Sequence, residues 1–177
     1  MQMEIIVSTP CRAWLTDLPD ALATAERLVA LTLTHAGLNR RVLDYVEVGV
    51  TLTDDDAIRA LNRDYRQQDK ATNVLSFGDD GMDDGPHDLP HGQPLLLGDL
   101  ILAHGVMCAE AKAQGKSLHN HYCHLLVHGT LHLLGHDHLE EGDAAAMEAR
   151  EIAILAGIGI ANPYELDAVP PSTTSPT

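Results

Sequence analysis

Four stretches of the chain have the hydrophobic pattern of β-strands. Residues 3–8 (MEIIVS) form a short apolar run, and residues 45–53 (YVEVGVTLT) alternate as a half-buried strand does. Residues 72–77 (TNVLSF) are a third candidate. Residues 95–103 (LLLGDLILA) are apolar almost throughout, which is typical of a central strand. The pattern therefore predicts a sheet of about four strands.

Five other stretches have the three- and four-residue period of amphipathic helices. They span residues 20–36, 54–65, 104–114, 117–134 and 143–155. Asp54 and Ser117 are suitable N-caps for two of them. Strands lie early in the chain and helices late. The sequence thus predicts an α/β (α+β) fold with a mixed sheet, built as a single domain over residues 1–167, with a disordered tail at residues 168–177.

Composition restricts the class of function. The 177 residues carry a formal net charge of -15, which argues against indiscriminate binding to nucleic acid or anionic membranes but leaves room for a local basic groove. The three cysteines lack CxxC spacing and predict a reduced, cytoplasmic environment. The N-terminus lacks the features of a signal peptide, and the longest apolar run is about half of the ~20 residues that cross a bilayer.

The stretch HGTLHLLGHDH, residues 128–138, predicts a metal site at the end of a helix. His128 and His132 are four residues apart and share one helical face. Gly135 can end the helix and return His138 towards them. Three histidines with an open fourth position are typical of one catalytic zinc ion, although other divalent transition metals also accept imidazoles. A histidine-rich helix face without metal is the alternative.

The neighbours of these histidines allow several roles. His124 could extend the stripe along the helix, and His136 lies between ligands, but neither is expected to bind the metal. Asp137 either orients a ligand ring or forms a turn. The remaining residues are expected to have structural positions: His119 and His121 on the helix surface, and Cys123 as a small buried side chain.

Gly129 argues against a peptidase. Zinc peptidases of the H-E-x-x-H type carry a glutamate directly after the first histidine, where it acts as general base. This chain has Gly129 there and no acidic residue between His128 and His132. The metal-binding spacing is therefore present without the peptidase base.

A basic patch lies on the helix predicted for residues 54–65 and just beyond it. Arg59, Arg63 and Arg66 follow helical spacing, and Lys70 comes soon after. An arginine fork suits phosphate oxygens, so a metal beside an arginine suits phosphodiester chemistry. The alternative is a solvated helix face on which the arginines pair with nearby acids, namely Asp55, Asp56 and Asp64.

Taken together, these segments resemble the YbeY family of ribosomal-RNA maturation factors. HGTLHLLGHDH fits the family signature HGxLHLxGxDH at each fixed position, and DYRQQDKATNVLSF resembles its YR-x3-K-x-TNVLSF segment. LLGDLILA and NPYE are similar to its GD strand and its C-terminal end. The resemblance spans roughly residues 3–166. The acidic segment 78–94, which should repel RNA, and the tail have no counterpart in it.

The resemblance implies a zincin-like fold and a metal-dependent, single-strand-specific endoribonuclease. Its implied role is maturation of the 3′ end of small-subunit ribosomal RNA and ribosome quality control, with RNA and the ribosome as partners. It assigns the metal, expected to be Zn²⁺, to His128, His132 and His138, and it implicates Arg66 in activity. We expect Arg66 and His128 to be catalytic, with Arg66 stabilising charge on phosphate.

Two rival functions stay open at this point. One is a metal-stabilised, ribosome-associated assembly factor with little intrinsic catalysis, which the net acidity and the lack of an identifiable general base both favour. The other is a metallopeptidase or other small-molecule hydrolase, which Gly129 disfavours.

Overall fold

The computed structural model describes residues 2–36, 44–78, 94–135 and 141–165. All four predicted strands and all five predicted helices are present, each within about two residues of its expected bounds. In chain order the elements are β1 (Gln2–Ser8), α1 (Ala13–Asp17), α2 (Ala21–His35), β2 (Tyr45–Thr53), α3 (Asp55–Arg66), β3 (Val74–Gly78), β4 (Leu95–Ala103), α4 (His104–Ala113), α5 (Leu118–Leu133) and α6 (Glu141–Ala156). The predicted tail lies outside the described residues, and the domain boundary stays a prediction.

The strands form one mixed sheet, as expected, in the order β1-β2-β4-β3. The pairs β1–β2 and β2–β4 are parallel. Strand β3 pairs antiparallel with β4, with Ser76 opposite Leu100, and lies at the edge of the sheet. One side of β3 is therefore available to groups outside the sheet.

The main core lies between one face of the sheet and the helices α2 and α5. Inward-facing residues of β2 and β4, such as Val48 and Leu100, are fully buried there against Leu28 of α2 and Leu126 of α5. Trp14 of the short helix α1 joins this core, and its indole Nε1 donates to the Thr53 carbonyl at 2.9 Å. Helix α5 is thus anchored across the sheet.

The opposite face of the sheet carries α3 over a smaller core. Ile58 of α3 packs there with Leu75 of β3 and Ile101 of β4. The Asp54 carboxylate accepts a hydrogen bond from the Ala57 amide at 2.8 Å, which confirms the predicted N-cap. At the other end of α3, Gln67 has a φ of 54°. Gln67 is in the left-handed conformation and ends α3 directly after Tyr65 and Arg66.

None of the helices in the described part of the chain is long and apolar enough to cross a bilayer.

Gly129 brings α5 unusually close to the sheet. A Cβ atom at this position would lie 2.9 Å from Leu100 Cδ2 and 3.4 Å from Ser76 Oγ. Leu100 is fully buried and has little freedom to move. Position 129 therefore faces the sheet and has no room for a side chain.

We predict that Gly129→Ala lowers the free energy of unfolding by about 1–3 kcal/mol, because the added methyl overpacks the contact between α5 and β4. Urea denaturation measures the change. Gly142→Ala in α6 is the matched control. Nothing lies within 4 Å of a Cβ at that position, so the same substitution should be neutral or stabilising. Equal effects of the two substitutions would contradict the close approach.

Candidate metal centre

Helix α5 presents a line of histidine rings at its C-terminal half. His124, His128 and His132 follow one another at four-residue steps, with ring centroids 6.1 Å and then 4.6 Å apart. The predicted shared face is confirmed for His128 and His132. Gly135, with a φ of 89°, adopts the left-handed conformation expected of the residue that ends the helix.

The nitrogen atoms of His128 and His132 converge as two ligands of one ion would. Their Nε2 atoms lie 3.1 Å apart, and both residues are partly exposed. Two nitrogen ligands of one tetrahedral zinc ion, each about 2.0–2.1 Å from it, are about 3.3 Å apart. A shift of a few tenths of an ångström would therefore let both rings bind the same ion.

The buried carboxylate of Glu151 orients the His128 ring from behind. Glu151 lies on α6, is fully buried, and places Oε1 2.6 Å from His128 Nδ1. An ionised carboxylate only accepts hydrogen bonds, so the shared proton belongs to Nδ1. This fixes the tautomer of His128 that leaves Nε2 as a lone-pair donor. A carboxylate behind a histidine is the usual support of a metal-ligating ring.

The other oxygen of Glu151 has two further donors. His124 Nε2 lies 3.0 Å from Oε2, and the Tyr164 hydroxyl donates a short hydrogen bond to the same oxygen. Burial alone would raise the pKa of Glu151, but the hydrogen bonds from His124, His128 and Tyr164 outweigh it and lower the pKa to about 2. Glu151 is therefore ionised in spite of its burial. Burial, followed by the same hydrogen bond to Glu151, raises the pKa of Tyr164.

A second way to assemble a site from these residues uses His124, His128 and Glu151, whose nearest ligand atoms all lie within 4.8 Å. The distances favour the arrangement in which His128 and His132 bind the ion and Glu151 supports the His128 ring. A separation of 2.6 Å between Glu151 and His128 is that of a charge-assisted hydrogen bond and is shorter than two ligands of one ion require. The His124 nitrogen that faces the group is already hydrogen-bonded to the carboxylate.

The outcome for the predicted site residues is mixed. His128 and His132 are brought together, whereas His136, Asp137 and His138 lie outside the described residues. His119 is exposed, as expected. Cys123 is confirmed as a buried side chain, and burial raises the pKa of its thiol to about 11.

The expectation for His121 was wrong. It was predicted to lie on the helix surface. In the structure other parts of the protein cover this side of α5, and His121 is only 3% exposed. Neither ring nitrogen has a hydrogen-bond partner among the described residues, and the nearest Glu110 oxygen is 3.8 Å away. Burial, followed by the positive charges of His124 and Lys116, lowers the pKa of His121 to about 4.

Sequence reasoning missed Glu151 and Tyr164. One feature of the sequence could have pointed to Glu151: it is an acidic residue directly before the apolar run that begins at residue 152, on a helix predicted to be amphipathic. Tyr164 belongs to the NPYE segment, which was noted as a resemblance without a role. Neither has a fixed spacing from the histidines, so their contact could not be read from the sequence.

The three arginines of the basic patch differ in their partners. Arg59 pairs with Asp69 at 2.9 Å and Arg63 with Asp64 at 3.0 Å, so the alternative of a solvated, paired face holds for these two. Arg66 instead donates from Nη2 to the main-chain carbonyl of Ser76 at 2.8 Å.

Ser76 connects Arg66 to the histidine helix. Its hydroxyl donates to the Gly129 carbonyl at 3.3 Å, one residue after His128. Main-chain and side-chain contacts of one residue on the edge strand β3 thus join the end of α3 to the sheet-facing side of α5, next to His128. Of the patch, Arg66 is the member that binds the residue in contact with α5.

Another group with metal-ligand chemistry lies elsewhere, where α1 meets α4. His104 Nε2 is 2.7 Å from Asp17 Oδ2, and Cys108 Sγ is 3.5 Å from the same nitrogen. Burial raises the pKa of the Cys108 thiol, which keeps it protonated. The three side chains form a hydrogen bond with a weak sulfur contact, and they are separate from the line of histidines on α5.

The comparisons with known proteins agree with the geometry. The family described as "Endoribonuclease YbeY" matches residues 16–159. A protein of that name from Paramagnetospirillum magneticum is 48% identical over 162 residues, covering 92% of this chain and 96% of its own. One from Azorhizobium caulinodans is 45% identical, covering 94% and 99%. One from Magnetococcus marinus is 54% identical over 67% of this chain and 83% of its own.

We predict that Glu151→Gln weakens metal binding by about 10–100-fold, because an uncharged amide holds the His128 ring and its tautomer less firmly. Competition with a fluorescent chelator measures the affinity. Glu148→Gln, one turn earlier on α6, changes the same charge without contact to a histidine of the described residues and should have little effect.

The same assay separates the two ways of assembling a site. His132→Ala should lose more affinity than His124→Ala if His132 is a ligand. The reverse order would assign the ion to His124, His128 and Glu151.

The acid stability of the protein should depend on His121. Its pKa is lower in the folded than in the unfolded chain, so below pH 6.5 protons bind preferentially to the unfolded state. Stability is therefore unaffected above pH 6.5 and falls as the pH drops towards 4. His121 should contribute about 2 kcal/mol of the difference between pH 7 and pH 5.

His121→Leu should flatten this loss, measured by urea denaturation at the two pH values. His119→Leu, at an exposed position on the same helix, should leave it unchanged. An unaltered pH dependence in His121→Leu would contradict a neutral, buried His121.

Proposed function

Because the chain belongs to the YbeY family, we propose that it is a metal-dependent endoribonuclease that cleaves single-stranded RNA during ribosomal RNA processing. The observation that carries the proposal is the pair of His128 and His132 nitrogen atoms 3.1 Å apart, with a buried carboxylate behind one ring. The specific process we propose is maturation of the 3′ end of small-subunit ribosomal RNA and ribosome quality control. The ribosome is the proposed partner and the cytoplasm the proposed compartment.

We assign the metal to His128, His132 and His138. The donor set on α5 fits the assignment, since imidazole nitrogens are common ligands of Zn²⁺ and the Glu151 carboxylate orients the His128 ring. Three protein ligands leave a position for water or substrate. An ion bound there would supply Lewis-acid chemistry, which activates water and polarises a phosphodiester.

The buried Glu151 acts on His128 and not on the substrate. It is fully buried and accepts three hydrogen bonds, so it cannot reach a phosphodiester or take up a proton from water near neutral pH. Glu151 is therefore a positioning residue. It keeps the His128 proton on Nδ1 and holds the ring towards His132.

Arg66 is the residue we assign to the phosphate. It is exposed, and its guanidinium is held by the Ser76 carbonyl, a neutral group that leaves the positive charge uncompensated. Among the described residues it makes no ion pair, in contrast to Arg59 and Arg63. A positioned guanidinium stabilises the charge that develops on a phosphoryl group during cleavage.

The two rival functions are less well supported. A ribosome-associated factor without catalysis is disfavoured because the relatives are named as endoribonucleases. A peptidase of the H-E-x-x-H type is disfavoured because a glutamate at position 129 would collide with the buried Leu100 side chain.

Cleavage of a labelled single-stranded RNA by the zinc-loaded protein tests the proposal. We expect His132→Ala to abolish cleavage together with the bound metal, and Arg66→Ala to retain the metal while losing about 100-fold or more in kcat. Arg63→Ala removes the same charge from an arginine that is paired with Asp64, so it should have a much smaller effect.

Contaminating nuclease is excluded by purifying each variant in the same way. Cleavage by His132→Ala at the wild-type rate would overturn the metal-dependent mechanism. Absence of cleavage by the wild type with any divalent metal, together with retained binding to ribosomal subunits, would restore the assembly-factor alternative.

A further inference from the structure

Aromatic side chains are scarce in this chain, and four of its six have evident structural roles. Two lie in the main core, and two more donate hydrogen bonds to carboxylates: Trp14, Tyr122, Tyr45 and Tyr164. The remaining two, Tyr65 and Phe77, lie together. They need a separate explanation.

Tyr65 and Phe77 form an exposed aromatic pair beside Arg66. Their ring centroids are 5.5 Å apart, and Arg66 Cζ lies 5.4 Å from the centroid of the Phe77 ring. Tyr65 is 67% exposed, more than any other large hydrophobic side chain in the described part of the chain. The pair is held in place from below, because Phe77 packs against the smaller core under α3.

A concavity of about 570 Å³ opens next to this pair, on the sheet face that carries α3. Tyr65 and Phe77 line one part of it, and Leu96 and Asp99 line another. Gly49 makes room for the Asp99 side chain, because a Cβ there would lie 2.0 Å from Asp99 Oδ1. The volume lies within the range of small-molecule pockets.

The charged side chains in and beside the concavity indicate which part of a nucleotide would bind at each point. The Asp99 carboxylate repels a phosphate but accepts hydrogen bonds from the amino groups of bases. Arg66, at the rim, attracts a phosphate. This arrangement suits a nucleotide whose base lies towards the aromatic pair and whose phosphate lies towards Arg66.

We propose that Tyr65 and Phe77 form a stacking site for an unpaired base of the RNA substrate, which rests on the function proposed above. Aromatic side chains next to cationic groups are the usual means of binding single strands without sequence preference. A base in a duplex is stacked on its neighbours and cannot offer its face to Tyr65. The site thus gives a physical reason for a preference for single strands.

The position of the aromatic pair relative to the histidines supports this assignment. Ser76 and Phe77 are consecutive on the edge strand β3, where successive side chains point to opposite faces of the sheet. Ser76 contacts α5 at Gly129, and Phe77 contacts Tyr65 of α3. A single strand that passes across the edge of β3 would therefore meet the stacking site on one side and the metal on the other.

Fluorescence anisotropy with a labelled 2′-O-methyl oligoadenylate tests the proposal on the zinc-loaded protein, with a gel to show that the probe stays intact. Tyr65→Leu should weaken binding by about tenfold or more, the loss expected for one base–aromatic stack. Tyr65→Phe keeps the ring and should bind like the wild type. Tyr65 is exposed, so both variants should keep the wild-type melting temperature.

Tyr45→Leu is the matched control. Tyr45 is bound to Glu4 and Glu47 and does not line the concavity, so its loss should leave RNA binding unchanged. A probe of the same length with abasic residues should bind equally to wild type and Tyr65→Leu. Arg66→Gln should reduce the dependence of the affinity on salt, whereas Tyr65→Leu should not.

Two results would overturn the stacking site. One is wild-type affinity of Tyr65→Leu for oligoadenylate, and the other is an equal loss of affinity for the abasic probe. Both leave the proposed function intact as long as the wild type binds and cleaves RNA. If the wild type binds and cleaves no single-stranded RNA, the proposed function fails, and the stacking site with it.

Discussion

The hydrogen bonding of the buried Glu151 carboxylate is the interaction on which the histidine face of α5 depends. A charge without contact to water is strongly unfavourable unless hydrogen bonds compensate it. Here His128, His124 and Tyr164 do so together, and they lower the pKa of the carboxyl group to about 2. These contacts join α5, α6 and the segment after α6. The hydrogen bond from His128 helps to compensate the buried charge of Glu151. The same hydrogen bond fixes the tautomer and the direction of the His128 ring.

A second constraint is the close contact between α5 and the edge of the sheet. Gly129 removes the side chain that would separate the helix from β4, and Ser76 of β3 then reaches its carbonyl oxygen. The same residue of β3 accepts the hydrogen bond from Arg66. One short strand thus contacts both Arg66 and Gly129, the neighbour of His128 in the chain. The glycine at the position of a peptidase base thus lets α5 approach the strand that also holds Arg66.

What the sequence could predict follows from which contacts are local. The shared face of His128 and His132, the caps at Asp54 and Ser117 and the strand bounds depend on neighbours within a few residues, and all are confirmed. Glu151 comes from a helix whose register against α5 is set by tertiary packing, so no spacing rule identifies it. His121 was misjudged for the same reason, since its burial depends on neighbouring elements. Helix α1, with five residues, is too short to show a period.

The acidity of the chain finally bears on how it can hold RNA. With a formal net charge of -15, long-range attraction to phosphates cannot supply the affinity, and two of the three arginines near the site are neutralised by aspartates. In the proposed function, binding comes from short-range contacts with the Arg66 guanidinium, the aromatic pair and a metal ion. Such contacts require a flexible strand with accessible bases and phosphates. A rigid duplex would present its phosphates to an acidic surface while withholding its base faces. Net acidity therefore need not oppose a nuclease role, because it penalises folded RNA more than the unpaired strand.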